Sequence, residues 1–377
     1  MRFVIDATTL LLPGAGIKTY VHGWLRALKA QAGHDVIEAY PFLNDLPELD
    51  HRRSLAGRAG TLARLVFENV ANIRHNRLLD MVLSDANLFH ASQHNANPPR
   101  RIAVTATVFD ATCWLFPETH TPANVAATKL YAERVLRRAD GLIAISENTR
   151  KDAIDILGIP AERIEVIYPG VAEEFFHVTP DAVSAAKRRY GLSRPYLLFV
   201  GCIEPRKNVG RILDAYKTLR FSTGELELIL AGPVGWNAGD LLQRSHQTPG
   251  VRLLGYVPET LLPGLARGAE ILVYPSLYEG FGLPVAQALA AGVPVVTSNR
   301  SCLPEVAGGG ALLIDPNSVE QLREAIETLM QSDSLRIRLG EAGRTRAEMY
   351  RWNLCAARSL RFFHTFQQTH TGSNLSV

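Results

Sequence analysis

Short apolar runs of four to six residues alternate with longer amphipathic segments along the whole chain. In the first half the runs predict strands at Arg2–Asp6, Val36–Tyr40, Leu88–Ala91, Ile102–Thr107, Leu142–Ile145 and Ile164–Tyr168. In the second half they predict strands at Tyr196–Val200, Leu226–Ala231, Val251–Leu254, Ile271–Tyr274, Val293–Thr297 and Ala311–Ile314. Most of these runs lack strict apolar–polar alternation, the pattern of strands covered by helices on both faces. Strand and helix in turn predict an α/β fold with parallel sheets, and six strands in each half suit two doubly wound domains. The boundary is expected where Thr179-Pro180 opens a short helix that ends at Tyr190-Gly191, before Ser193-Arg194-Pro195. The domains are therefore predicted as 1–190 and 191–377. After Asp315 the pattern is helical to about residue 367. Its last segment, about 351–367, gathers Trp352, Leu360, Phe362, Phe363 and Phe366 on an apolar face that can pack on the second domain or return to the first.

Composition narrows the class. A 47% hydrophobic and 20% charged chain of 377 residues can bury a sizeable core, which excludes disordered and fibrous classes. Forty Lys+Arg against 37 Asp+Glu leave +3, so no nucleic-acid partner is expected. Cys113, Cys202, Cys302 and Cys355 lie far apart without C-x-x-C or zinc spacing, as expected of reduced thiols in the cytoplasm. Asp6 interrupts the first apolar run too early for a secretion signal. The charge-free stretch Gly280–Asn299 is punctuated by glycines and prolines and is not expected to span a membrane. Residues 52–77 stand apart, with six arginines (52, 53, 58, 64, 74, 77) against Glu68 among interleaved apolar residues. Such a segment is either an ordinary helix with solvated arginines or a peripheral contact with an anionic membrane.

In open α/β sheets ligands bind beyond the carboxyl ends of the strands, so the strand-to-helix turns are where chemistry is sought. Four stand out. In Gly201-Cys202-Ile203-Glu204-Pro205-Arg206-Lys207-Asn208, two adjacent cations precede a helix predicted over Val209–Leu219. Cations oppose the helix dipole there, so the pair points either to an anion such as a diphosphate or to neighbouring acids such as Glu204. In Tyr274–Pro284, Gly280 and Gly282 permit close backbone approach before a helix starting near Val285. Glu279 and Gln287 can offer acceptors to one small molecule, or Glu279 is a solvated residue at a helix entry. The loop Leu11–Tyr20 is rich in glycine through Gly14 and Gly16 but carries neither G-x-G-x-x-G nor G-K-[ST], so it is a ligand-facing turn or an ordinary one. Asp110, after the fourth strand, is a cleft carboxylate or a capping residue. The sequence has no D-x-D triplet and no His cluster at ligand spacing, and no metal site is expected.

Taken together, these motifs resemble the retaining, nucleotide-sugar-dependent glycosyltransferases of family 4, also called group 1. The likeness runs through Gly201–Asn208, Ala231-Gly232-Pro233, Leu254–Val257, Pro275–Pro284 and Ala290–Val296. In the first half it runs through Gly14–Tyr20, Phe89-His90-Ala91, Val108-Phe109-Asp110, Ser146–Thr149 and Ile167–Val171, and it is weakest at 42–85. It implies the GT-B fold, two Rossmann-like domains facing a cleft. The first would be acceptor-side and the second would hold the donor. It further implies that Arg206 and Lys207 bind the donor diphosphate and that Glu279 holds hydroxyls of the transferred hexose, with backbone N–H groups of Phe281, Gly282 and Leu283. Gly201 would line the donor site, Gln287 would face the ribose, and Tyr256 and Val257 would lie beside the base. Gly14 and Gly16 would line the cleft.

Two positions depart from the family pattern. Gln287 replaces the second glutamate of E-x7-E, keeping an acceptor and adding donors. Phe109 stands where a histidine is frequent, leaving Asp110 to carry part of that role. The implied reaction moves a hexose from a nucleotide-diphosphate sugar to a hydroxyl of a glycan, a lipid-linked glycan or a small molecule. It proceeds with retention, and neither cofactor nor metal is expected. A nucleotide-sugar epimerase or glycan phosphorylase of the same fold, and a non-catalytic nucleotide-sugar sensor or scaffold, are the competing readings. Donor base, hexose and acceptor are left open by the sequence.

Overall fold

A computed structural model of the chain describes residues 1–43, 45–73, 77–219, 225–235 and 238–373. Among these residues two six-stranded sheets are formed, and every ladder is parallel. The first comprises β1 (Arg2–Asp6), β2 (Val36–Tyr40), β3 (Leu88–Ala91), β4 (Ala103–Val108), β5 (Gly141–Ala144) and β6 (Ile164–Val166), in the order β2-β1-β3-β4-β5-β6. The second comprises β7 (Tyr196–Val200), β8 (Glu227–Ala231), β9 (Val251–Gly255), β10 (Ile271–Tyr274), β11 (Val295–Ser298) and β12 (Ala311–Ile314), in the order β12-β11-β10-β7-β8-β9. All twelve predicted strands are present. β11 starts two residues later than expected because Gly292 turns through a left-handed φ of 68° and Pro294 has no N–H to donate; its carbonyl instead accepts from Leu272 N at 3.0 Å.

Each sheet reverses its direction of growth once. The first does so between β1 and β3, the second between β7 and β10. Loops leaving the two strands at such a point diverge to opposite sides and leave a crevice at the carboxyl ends.

The chain divides into two compact units, residues 1–170 with 352–377 and residues 171–351. The first boundary thus lies 20 residues before the predicted one at 190. The helix Pro180–Tyr190 packs on Leu262–Arg267 of the second unit, where a Cβ on Gly264 would collide with the Ala182 carbonyl. Its local signals read as expected. The Thr179 hydroxyl accepts from Ala182 N at 3.2 Å, Pro180 opens the first turn, and Gly191 closes the helix at φ 60°.

The last helix, Trp352–Ser373, belongs to the first unit and lies along the helix Gly16–Gln31. Of its two possible packing partners, the structure selects the return. Trp352 occupies the space that side chains at Gly23 and Gly170 would fill, and Phe366 does the same at Gly141. Trp24 Nε1 donates to Ser359 Oγ at 2.9 Å, and Phe363 packs on Phe3 with ring centroids 5.5 Å apart. The apolar face noted in the sequence is buried here, with Phe362 and Phe363 almost fully covered.

The helix Arg58–Ala71 carries one acid, Glu68, which points inward and is buried. The Tyr40 hydroxyl donates to its Oε2. Burial and the nearby Asp6 push its carboxyl up to about 7. A carboxyl whose affinity for protons is higher in the folded state favours folding at low pH, and that advantage disappears as pH rises through about 7. Glu68→Gln should therefore flatten the pH dependence of unfolding between about pH 4 and 7. At pH 8 it should stabilise the protein by about 2–3 kcal/mol in denaturant titration. Equal pH profiles for the variant and the parent would contradict this assignment.

Candidate active site

The crevice of the second sheet is built from the loops after β7 and β10. These neighbouring strands are in register at Ile271↔Leu197 and Leu272↔Leu198, so their loops leave side by side. Leu277 N donates to Arg206 O at 3.0 Å, and the Asn208 side chain donates to Pro275 O at 3.0 Å and Pro316 O at 2.7 Å. Asn208 has the left-handed φ of 62° and precedes the helix Val209–Lys217. The basic pair therefore sits in a single turn ahead of that helix.

Three residues that the sequence singled out meet here. Lys207 Nζ lies 2.5 Å from Glu279 Oε1, and Arg206 Nη1 lies 3.3 Å from Glu279 Oε2. Ser276 Oγ and the Tyr274 hydroxyl both donate to Glu279 Oε1, at 2.7 and 3.0 Å, while Lys207 Nζ also donates to the Tyr274 oxygen at 2.8 Å. Arg206 further donates to Glu204 Oε1 and the Tyr278 carbonyl, both at 2.6 Å. The cluster thus holds two cations against two carboxylates, all four side chains buried or nearly so. The neighbouring-acid reading of the basic pair is seen directly: Arg206 reaches Glu204, as expected, and also faces Glu279.

Burial alone would raise the Glu279 carboxyl, but the charges of Lys207 and Arg206 outweigh it and hold the group at about 2. At Lys207 burial prevails, lowering its pKa even with Glu279 alongside, because Arg206 repels it. Two cations and two hydroxyls thus serve the Glu279 carboxylate together. Burial and the Glu279 charge keep the Tyr274 phenol protonated well above its usual range. Tyr274 and Ser276 were not among the residues expected to matter. Both lie in the run Tyr274–Gly282 that the sequence marked, but nothing local predicts which side chains turn onto Glu279.

Gly282 takes φ 85° and precedes the helix Leu283–Ala290, with Pro284 in the first turn and Val285 N donating to Gly282 O at 2.9 Å. Phe281 is buried and packs edge-on to Tyr350 at 5.2 Å. Gln287 lies inside this helix with its side chain largely buried. Gly201, at φ 150°, lies against Gly232, at φ 141°, where a Cβ on Gly232 would run into the Gly201 carbonyl. Gly201 N donates to Ala231 O at 2.9 Å and Gly232 N to Gly255 O at 2.8 Å, tying the loops after β7, β8 and β9 together. Tyr256 and Val257 follow directly on the last of these, Val257 buried and Tyr256 half-buried.

The remaining candidates belong to the first unit. Asp110 Oδ1 accepts from Thr112 N at 2.9 Å and Thr112 Oγ1 at 2.6 Å, closing a local turn just ahead of the short helix Thr112–Leu115, whose N-cap position is Ala111. Phe109 is buried edge-on to Tyr20 at 5.3 Å. Gly16 opens the helix Gly16–Gln31 with open space where its side chain would be, and Gly14 N donates to His51 O at 3.0 Å while the His51 ring Nδ1 lies 2.7 Å from Gly14 O. Sequence reading missed Lys18, which is fully buried and donates to the carbonyls of Leu12 (2.9 Å), Asp50 (2.9 Å) and Arg53 (2.5 Å), fixing the glycine-bearing loop. It also missed Asp6, buried at the switch point between β1 and β3, which accepts from Thr8 N at 3.0 Å and Ser92 N at 3.3 Å. His90 is a core residue held between Thr105 and Thr107 at 2.8 Å each, and burial lowers it to about 3. Among the described residues no group of three or more His, Cys, Asp or Glu is assembled at metal-binding distance.

Known proteins add to this geometry. The family model "Glycosyl transferases group 1" matches residues 184–346, and "Glycosyltransferase Family 4" matches residues 14–175. The O-antigen chain mannosyltransferase B of Escherichia coli is 29% identical over 375 residues, covering 96% of this chain and 98% of that one. In structure the chain is similar to sucrose-phosphate synthase from Thermosynechococcus elongatus, with a TM-score of 0.73 at 18% identity over 97% of this chain and 98% of that one. Anabaena HepE in complex with UDP and glucose gives a TM-score of 0.72 at 18% identity, over 97% and 100% of the two chains. Two wound sheets, the loop pairing at the second switch point and two family models that between them span most of the sequence lead to one conclusion: the chain belongs to the group 1 glycosyltransferases of family 4, with the GT-B fold.

Proposed function

We propose that this glycosyltransferase moves a mannosyl or closely similar hexosyl group from a nucleotide-diphosphate sugar to a hydroxyl of a growing glycan, free or lipid-linked. The anomeric configuration is retained and no divalent cation is used. The observation that carries the reading is the pairing of Glu279 with Lys207 and Arg206 at the second switch point. A diphosphate arriving beside Arg206 and Lys207 competes with Glu279 for the same donors. As the cations turn to phosphate oxygens, the carboxylate is released to accept hydroxyls of the sugar. The site then separates its charges only when the donor is bound. The mannosyl assignment is supported by the full-length likeness to an O-antigen chain mannosyltransferase.

In this mechanism the chain supplies no nucleophile. The leaving diphosphate takes the proton of the acceptor hydroxyl on the face it departs from, while Arg206 and Lys207 stabilise the negative charge that develops on it. Main-chain N–H groups at Phe281–Leu283 and the Glu279 carboxylate position the hexose, Gln287 reads the ribose, and Tyr256 with Val257 flanks the base. Gly14, Gly16 and Asp110 stand on the acceptor side. Positive charge at the phosphates comes from side chains, so transfer should persist in EDTA at the rate seen with added magnesium. Abolition by the chelator with rescue by manganese or magnesium would contradict the proposal.

Work on a lipid-linked acceptor places the enzyme at the cytoplasmic face of a membrane, with residues 52–77 as the contact. Among the described residues no helix is long and apolar enough to cross a bilayer.

A further inference from the structure

The helix Arg58–Ala71 is already docked on its own unit by one face. Phe67 packs against Phe42 at 5.5 Å and Tyr40 at 6.1 Å, Ala71 is buried, and Arg64 donates to the Phe42 carbonyl at 2.8 Å. Thr61 donates to Ser54 Oγ at 2.6 Å, and the Asn72 side chain to His94 O at 3.3 Å. Among the described residues the opposite face is apolar and exposed. Leu62, Val66 and Val70 recur at every fourth residue with 66%, 55% and 44% exposure, and Ile73 follows the last turn with 58%. Spacing of four places the first three on one stripe along the helix. Single exposed apolar residues are ordinary, whereas an aligned row on one helix marks a contact surface.

The charge around the stripe identifies the occupant. Arg53, Arg58 and Arg77 are exposed, and so is Arg52, while Arg64 is turned inward to main-chain carbonyls. Arg74 lies outside the described residues. Arg52 and Arg53 pass Asp50 at 3.6 and 3.8 Å. The segment's one acid, Glu68, is withdrawn to the inner face and bonded by Tyr40, so it does not oppose an anionic surface outside. An exposed apolar row with exposed arginines before and after it in the chain, and with its carboxylate hidden, is complementary to the headgroup and upper acyl region of an anionic bilayer.

We propose that the Leu62–Val66–Val70–Ile73 ridge, flanked by Arg52, Arg53, Arg58 and Arg77, lies in the surface of an anionic lipid bilayer. This deepens the membrane side of the proposed function and rests on that reading. The ridge enters the headgroup boundary and the arginines meet lipid phosphates. Val66 is the centre of the contact, with Leu62 and Val70 one turn to either side.

The test is vesicle flotation of the full chain without any sugar substrate. Vesicles of phosphatidylcholine alone are compared with vesicles containing about one-third phosphatidylglycerol. The chain should float with the anionic vesicles at low salt, with roughly tenfold weaker binding at high salt, where the charges are screened. Leu62→Asp with Val66→Asp should abolish flotation, and Arg52→Gln, Arg53→Gln and Arg58→Gln together should weaken it roughly tenfold or more. Ile337→Asp, at an exposed apolar residue of the second unit, controls for added charge and should float like the parent. Circular dichroism confirms folding of each variant. Equal flotation with neutral vesicles, no flotation at all, or flotation unchanged by the double aspartate variant would overturn the proposal. Self-association of the parent that the aspartates dissolve, without lipid binding, would assign the ridge to a second copy instead. Sugar transfer to a soluble acceptor is scored separately, so failure of the bilayer contact and failure of the transferase reading are distinguishable.

Discussion

Glu279→Gln should lower hexosyl transfer roughly ten- to a hundredfold, while affinity for the bare nucleoside diphosphate stays the same or rises. A hydrogen bond to an ionised group contributes about 1.5–3 kcal/mol. Lost only where the glycosidic bond breaks, that amounts to one or two powers of ten in rate. Without a diphosphate, the Glu279 carboxylate occupies both cations, at 2.5 Å from Lys207 and 3.3 Å from Arg206. Removing its charge leaves those donors freer for phosphate, which is why affinity should not fall. Glu279→Ala is a harsher change, because it leaves buried cations without a partner at a cost of about 3–5 kcal/mol. The two variants together separate chemistry from stability. The carboxyl is held at about 2, so the stability it contributes is present above the ordinary glutamate value. That stability should be lost as pH falls from about 4.3 towards 2, and the glutamine variant should lack this acid-side loss. Turnover would be measured with the matching sugar donor and binding by calorimetry with the diphosphate. Loss of diphosphate affinity as severe as the loss of turnover would assign Glu279 to support of the loop and remove its sugar contact.

The second large effect concerns the cations. Mutating Arg206 and Lys207 alone strands Glu279 and Glu204 as buried carboxylates, and lost binding could then reflect a damaged loop. The combined change Arg206→Ala, Lys207→Ala, Glu204→Gln and Glu279→Gln removes both cations and both carboxylates from the cluster. Its calorimetric affinity for nucleoside diphosphate should fall about a hundredfold or more, since two charge-assisted hydrogen bonds at about 1.5–3 kcal/mol each are gone. Thermal unfolding should stay cooperative. A folded variant carrying all four changes that binds the diphosphate like the parent would place the phosphates elsewhere.

The strands were legible because most of them are buried on both faces and therefore read as unbroken apolar runs, as at Ile271–Tyr274. Helix ends were legible where chemistry is local, as at Thr179-Pro180 and Gly191. The unit boundary was not, because what ties 171–190 to the second unit is a close approach of Ala182 to Gly264, 82 residues away. The same holds for the last helix, whose apolar face is evident in sequence while its seat on Gly23 and Gly141 is not. At the site, the sequence marked Arg206, Lys207 and Glu279 as separate ligands for separate parts of a donor. Their mutual pairing across 72 residues follows only from the register of β7 against β10. Asp110 shows the opposite case, where a strictly local contact, the turn it closes with Thr112, accounts for one carboxylate oxygen. Lys18 was hidden because a lysine in a loop-to-helix turn reads as solvated, and only the fold brings three carbonyls to its ammonium.

The central claim is catalysis of hexosyl transfer from a nucleotide sugar, and anomeric analysis of the product by NMR tests it most directly. The full chain is incubated in EDTA with UDP-, GDP- and ADP-linked hexoses and a mannan-type acceptor. One nucleoside diphosphate should be released in an acceptor-dependent way, with a new glycosidic bond of the same anomeric configuration as the donor. A nucleotide sugar that binds but is never turned over, or a product of inverted configuration, would contradict it.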